Sequence, residues 1–398
     1  MNYRWLVIGL FFINSGSGYA QTAEELNQQA MQALVTGDLK LAIDGFNKAI
    51  DMDSAYVKAY INLGFIYYSN GLMDDAVALY TKALQFEPQN PMAHNNLGAA
   101  YIALGKHNEA ILEYKVAIKL YPDYAEAHNN LAYAYYSLGL YKRAIAEAKT
   151  ALKLNPQYAM AYNYLGISYH AQAQYDSAEI NFRKSLEIKP DFVVAMNNLG
   201  TTLRFQGKTD ESVATHQQAA KLDSTNIESF NGQGIAYLSK GETQTAIASF
   251  EKVLQIMPRD PVAHNNLSYC YYDQLDYALA MQHAKAAERY GLKINPDYMK
   301  DLEKSLDPKY LRARHILVKT QSEAEEILKE LNGGANFVEL SAKRSLDPAT
   351  ARKGGDFGYF QKGDLNAEFE NVISSLKVGD ISAILKTAQG YHIFQRLN

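Results

Sequence analysis

The chain has one cysteine, Cys270, in 398 residues. A single thiol forms no internal disulfide and no zinc site, so neither a covalent staple nor a cysteine-bound metal is expected. Between Tyr269 and Tyr271 it reads as a buried structural thiol. Excess charge is scarce too. The net charge is −4, with the acidic surplus in the repeats and a slight basic surplus after Pro308. Neither segment offers the basic face of a nucleic-acid binder. The hydrophobic share of 47% argues against a disordered or fibrous chain.

Long apolar runs are also missing beyond the first twenty residues. Arg4, the run from Trp5 to Ile13 and the ending Gly18-Tyr19-Ala20 have the form of a secretory signal cut before Gln21. The nine-residue run reaches only about half of a hydrocarbon core, which argues against a membrane anchor. No cysteine follows the cut to carry a lipid. The expectation is an exported soluble protein, bacterial periplasmic or secreted, with residues 1–20 as signal.

What the chain has in abundance is tyrosine, 30 residues, most of them recurring at one spacing. The stretch Pro91–Tyr124 carries Leu97, Gly98, Tyr101, Gly105, Ala110, Tyr114, Ala117 and Pro122. The preceding 34 residues repeat these as Leu63, Gly64, Tyr67, Gly71, Ala76, Tyr80, Ala83 and Pro88, and the following 34 as Leu131, Ala132, Tyr135, Gly139, Ala144, Ala148, Ala151 and Pro156. Starting at Ala23, eight such units run without slip to residue 294. Fixed self-similarity at this period marks stacked helical repeats, none of which buries its apolar face alone. In most units Gly ends the first helix and Pro breaks the second.

Tyr60-Leu63-Gly64-Tyr67, then Ala76, Tyr80, Ala83 and Pro88, resemble the motif of the tetratricopeptide repeat (TPR) family. The resemblance implies an all-α superhelix of eight helix-turn-helix units over 21–294, whose first helices line a concave surface. Departures are Ser212 and His216 in unit six and Leu275 in place of the central Gly of unit eight. Position 5 is Asn in seven units, including Asn95, Asn129, Asn197 and Asn265. Position 6 adds Asn62, Asn96, Asn130, Asn198 and Asn266. Positions 5, 9 and 12 share a helical face, with Phe65, Tyr133 and Tyr269 at position 9 and Tyr68, Tyr136 and Tyr272 at position 12. Two readings stay open: a groove pairing with the backbone of a peptide partner, or asparagines bonding across neighbouring helices. The Lys and Arg residues with which some family members clamp a terminal carboxylate are missing from positions 5 and 6. His94, His128 and His264, all at position 4, read as packing residues, too far apart to share a metal.

Residues 295–308 read as a capping helix and linker, with Tyr298, Leu302 and Leu306 along one side. From 309 the 34-residue pattern stops. Ala313–Val318 reads as a strand, Ser322 with Glu325 as a capping box, Asn336–Arg344 as a helix, and Lys353–Phe360 as a Gly-rich loop. A helix around Glu368–Leu376 and strands around Ile381–Leu385 and Tyr391–Leu397 complete a compact α+β domain.

Arg314–Val318, Gly354–Phe360, Gly363–Phe369 and Gly390–Ile393 resemble, in family order, the parvulin-type (PpiC-like) peptidyl-prolyl cis/trans isomerases. The resemblance implies a catalytic set of His315, Asp347, Thr387 and His392, with Leu365, Phe369 and Phe360 at the proline site, no cofactor and no metal. Ser345-Leu346 departs from the family's usual Ser-Asp and sets the polar network at issue. The first-strand link Lys319–Ser322 is too short and too weakly basic for phosphate-directed specificity. The combined expectation is an isomerase acting on unfolded or extended clients with Xaa-Pro bonds, held through the TPR concave face. The alternative is a non-catalytic scaffold or holding chaperone whose tail only binds proline-containing segments.

Overall fold

The structure, a computed structural model, describes residues 21–398, and the signal-like segment lies outside the described residues. Two compact units emerge, one up to Thr215 and one from His216. Within each, helices pair as the 34-residue register requires. Unit three, for example, is Pro91–Ala103 with His107–Leu120.

One side-chain exchange explains how the two helices of a unit come together. Position 8 of the first helix faces position 24 of the second. In units two, three, five and seven a Gly there meets an aromatic ring, and a Cβ on Gly64, Gly98, Gly166 or Gly234 would sit 2.5–2.7 Å from Tyr80, Tyr114, Phe182 or Phe250. Unit four fills the same space from both sides, with buried Ala132 and Ala148. Unit eight uses Ser268, whose hydroxyl donates to the Ala280 carbonyl, with Ala284 opposite. The contact is buried in each case, either a ring seated on a Gly or two small side chains facing one another, with no Cβ forced into a ring.

The turn between paired helices needs a left-handed residue. Gly37, Gly71, Gly105, Gly139, Gly207 and Gly241 supply it at φ of +72° to +86°. Leu275 adopts it at φ 64°, and so does Ala173 at φ 56° in unit five, a departure that the sequence reading passed over. Each costs about 1 kcal/mol against Gly.

Pro296–Leu306 forms the expected helix after unit eight. Leu302 is fully buried and Tyr298 packs with it, whereas Leu306 is exposed, contrary to its expected place on the packed side. The last two units, this helix and the tail belong to one compact unit, so the change of architecture near Pro308 is no break in packing. Arg312 ties them together. Its guanidinium donates to Asp356 at 2.6 Å, to Asp301 at 3.2 Å and to the Tyr272 hydroxyl at 2.8 Å. Tyr277 donates to the Leu397 carbonyl at 2.7 Å, and Ser305 bonds to the Tyr359 hydroxyl at 2.7 Å.

The tail is a four-stranded antiparallel sheet in the order β2-β1-β4-β3, with β1 Leu311–Val318, β2 Asp356–Phe360, β3 Leu385–Thr387 and β4 Gly390–Arg396. One face, Ile316, Val318 and Ile393, packs on Gln321–Asn332 and Phe337–Arg344 through Ile327, Leu331 and Leu340. The other, Ala313 and Phe394, packs on Ala367–Ser375 through Ile373 and Phe369. Three local expectations are corrected. The capping box is Thr320 with Glu323, two residues earlier than Ser322 with Glu325, because helix entry follows the extended Thr320. The Gly-rich stretch is a loop only to Gly355, and Asp356–Phe360 pairs with β1. Of Ile381–Leu385, only Leu385 is in a strand, and Ile381 makes an isolated bridge to Gln395.

The position 8/24 exchange predicts that Gly98→Ala destabilises the chain by about 1–3 kcal/mol in denaturant unfolding. Combining it with Tyr114→Ala, which recreates the unit-four pair, should recover part of that loss relative to the sum of the single changes. Strict additivity would contradict the packing account.

Candidate active site

Antiparallel pairing sets His315 opposite Phe394 and His392 opposite Leu317, so the two histidines lie on one face of the central strands. Both are buried, at 3% and 0% exposure. Their Nδ1 atoms are 3.3 Å apart, and the rings lie nearly parallel at a centroid distance of 5.4 Å. His315 Nε2 is 2.8 Å from Asp347 Oδ2 and 3.1 Å from Thr350 Oγ1. Thr350 itself donates to Asp347 Oδ2 at 2.5 Å. At the other end, His392 Nε2 is 3.0 Å from Thr387 Oγ1.

Chemistry fixes the protons. An ionised carboxylate only accepts, so His315 carries its hydrogen on Nε2 and, when neutral, accepts at Nδ1. His392 then donates from Nδ1 and accepts at Nε2 from Thr387. The Thr387 oxygen accepts in turn from the Gln389 N–H at 3.1 Å. The result is a one-directional chain from Gln389 through Thr387, His392 and His315 to Asp347, with each imidazole neutral. The electrostatics agree. Burial and the adjacent His315 push His392 down to about 4. Burial also lowers His315 and outweighs the opposing pull of Asp347. At Asp347, burial works upward, but bonds from Thr350 and His315 outweigh it and hold the carboxyl below its ordinary value.

Gly355 lets β2 begin against this core. At φ +86° its carbonyl accepts from the His315 N–H at 2.9 Å, and a Cβ there would fall 2.2 Å from the His315 oxygen. Phe369 covers the histidines from above, its ring 4.7 Å from His392 and 4.9 Å from Phe394. Leu365 packs at the same cluster, half-buried like Phe369. Phe360 belongs to it as well but is only 4% exposed.

The four polar residues expected from the sequence thus come together with Leu365 and Phe369. Thr350, Phe357 and Phe394 were not anticipated. Phe357 lies 4.4 Å from the His315 ring, and Phe394 5.8 Å from His392. Thr350 follows Asp347 by three residues and Phe394 follows His392 by two, so one-turn and one-pleat spacings from the motif residues would have flagged them. Leu346 lies outside the polar chain. It is 57% exposed, and its amide donates to the Leu317 carbonyl.

Much of the asparagine series bonds within the stack. Asn62, Asn130 and Asn198 donate to Asn27, Asn95 and Asn163 of the preceding unit at 2.9–3.0 Å. Asn95 and Asn129 are buried and donate weakly to Asn96 and Asn130 at 3.3–3.4 Å. Asn197 is also buried, while Asn265 and Asn266 are half-buried. Position 9 is more open, with Phe65 and Tyr269 41% and 44% exposed. The position-4 histidines serve packing in a shared way. His94 and His128 each bridge a Glu of their own second helix, Glu113 or Glu147, at 2.6–2.7 Å and the preceding proline carbonyl at 3.0–3.1 Å.

Comparison with known families finds two kinds of match along the chain. A PPIC-type peptidyl-prolyl isomerase domain matches residues 314–398. TPR repeat families match 66–105, 98–139, 129–191, 193–222 and 231–297. The chain is a tetratricopeptide-repeat protein with a PPIC-type domain. The chain is similar to a foldase protein PrsA from Geobacillus sp. (strain WCH70), 38% identical over 136 residues, 34% of this chain and 48% of that one. It is also similar to a parvulin-like PPIase from Rickettsia bellii, 38% identical over 107 residues, 26% of this chain and 38% of that one. The chain therefore spans about half or less of these relatives. A TPR protein from Parabacteroides merdae shares the repeat fold, with a TM-score of 0.52 at 21% identity over 63% of this chain and 99% of that one. Among the described residues no helix is long and apolar enough to cross a membrane.

The neutral pair makes the PPIC-type domain acid-sensitive. An unfolded histidine titrates near 6.5, whereas His392 in the fold titrates near 4. Stability from keeping it neutral is therefore complete above about pH 6.5 and declines as pH falls towards 4. Unfolding free energy measured from pH 7 to pH 4.5 should fall, and His392→Phe should flatten that slope. An unchanged slope in the variant would contradict the assignment.

Proposed function

We propose that the chain is a non-phosphospecific peptidyl-prolyl isomerase, exported to the periplasm or beyond, whose repeats hold extended protein clients while the tail acts on their Xaa-Pro bonds. The observation that carries it is the ordered neutral chain Thr387–His392–His315–Asp347 beneath Phe369 and Leu365, in a domain matching the PPIC-type family. The name foldase among the relatives and the signal-like segment point the same way.

Rotation about the bond faces about 18–20 kcal/mol because the amide loses resonance. The twisted amide is less dipolar than the planar one, so an apolar wall of Leu365 and Phe369 favours it. Phe360, buried beneath, supports that wall. As resonance is lost the nitrogen gains a lone pair, and a fixed polar network next to the ring can stabilise it without covalent bonding or a metal. Each tenfold acceleration takes about 1.4 kcal/mol of such preference. On the repeats, client contact falls on the exposed position-9 aromatics Phe65 and Tyr269 and the half-buried position-6 asparagines, since the position-5 amides support the stack.

Exchange NMR on an unphosphorylated Xaa-Pro peptide tests the reading. The full chain should accelerate isomerisation, and His392→Ala or Asp347→Ala should lose at least tenfold in kcat/KM. No acceleration by folded protein would replace the isomerase with the binding scaffold. Leu346→Asp should change the rate less than about twofold, because Leu346 stands outside the network. A larger gain would mean that the family's usual residue acts in the chemistry.

A further inference from the structure

The histidine that recurs at position 4 has a different partner in the last repeat. His94 and His128 each face a glutamate at position 23, Glu113 and Glu147. At the same register His264 faces His283, with the two Nδ1 atoms 2.9 Å apart. One lies on the first helix of the repeat, Pro261–Asp273, and the other on the second, Tyr277–Arg289. His264 Nε2 donates to the Pro258 carbonyl at 3.3 Å, which leaves its Nδ1 lone pair directed at His283. Tyr290 lies 5.5 Å from the His264 ring and Tyr271 stacks 5.4 Å from His283, holding both rings in place. Both histidines are half-buried.

We propose that His264 and His283 form a two-imidazole clip for a borderline divalent cation such as Zn²⁺, Ni²⁺ or Cu²⁺, joining the two helices of the last repeat. Imidazole is the ligand these ions prefer. Zinc–nitrogen bonds of about 2.0–2.1 Å at the tetrahedral angle place the two nitrogens roughly 3.3–3.4 Å apart, so the nitrogens part by about half an ångström and each ring turns to aim its Nδ1 lone pair at the ion. Binding takes His283 in its other neutral tautomer: the proton on Nδ1 moves to Nε2, with no net proton released. The His264–Pro258 bond then becomes the backbone carbonyl contact that commonly orients a metal-bound histidine. The remaining coordination positions go to water. In repeats three and four, where position 23 is Glu, the pair is an ion-pairing or hydrogen-bonding contact with only one imidazole.

The test is titration of the untagged full chain with ZnCl₂ by calorimetry, with thermal unfolding alongside and Cu²⁺ electron paramagnetic resonance to count imidazole nitrogens. His264→Tyr places at position 4 the residue that Tyr60 and Tyr162 already supply in units two and five, so it should fold. His283→Gln removes the other ligand, and His94→Tyr is the control. One equivalent of Zn²⁺ should bind and raise the melting temperature, Cu²⁺ should show two imidazoles, and both effects should be lost in the first two variants and kept in the control. Unchanged binding in either clip variant, loss in the control, or no saturable binding by the full chain would overturn the proposal.

Discussion

The functional end of the molecule depends on the pairing of β1 with β4. These strands lie more than seventy residues apart in sequence, and their register alone decides that His315 and His392 meet on one face. A slip of one residue would put His315 and His392 on opposite faces of the sheet, one of them against the aliphatic helical layer. The register is pinned from both sides by dissimilar means. The helical layer fills one face with aliphatic side chains, and the polar chain from Thr387 to Asp347 spans the other. Burial then keeps the pair neutral, and neutrality gives each hydrogen bond a single direction.

The repeats obey a different constraint, in which the two helices of a unit meet at one buried pair of positions. Gly against a ring, Ala against Ala and Ser against Ala all fill that contact, so the residues vary while the place of contact does not. The same economy governs the polar groups. Asparagines that might have faced a partner satisfy one another across 35 residues, leaving aromatics as the more open groups of that face. In the last repeat this polar frame joins the tail, because Tyr272, a position-12 residue, bonds Arg312 of β1. A groove residue and the strand carrying His315 therefore share a hydrogen bond.

How much was legible in the sequence follows from the range of each interaction. Helix pairing was readable because its rule repeats every 34 residues, and so were the tail's motif residues. Asp356–Phe360 read as a loop because three glycines obscured a strand whose pairing partner lies over forty residues away. The capping box at Thr320 was misplaced by two residues, since overlapping Ser/Thr and Glu spacings offer two equal candidates and only the backbone bend chooses. Phe357 acquires its role against His315 only once β2 lies beside β1. Leu346 shows the opposite case, a motif departure that looked consequential and whose side chain points to solvent.

The central claim is a neutral, directionally ordered histidine pair that meets the proline substrate. Long-range ¹H–¹⁵N NMR of the imidazoles at pH 7, with and without an Xaa-Pro peptide, measures it directly. The account predicts two neutral rings, protonated at Nε2 in His315 and at Nδ1 in His392, with both sets of resonances shifting as the peptide binds. A charged imidazolium in the free protein, or resonances indifferent to a peptide whose isomerisation the protein accelerates, would contradict it.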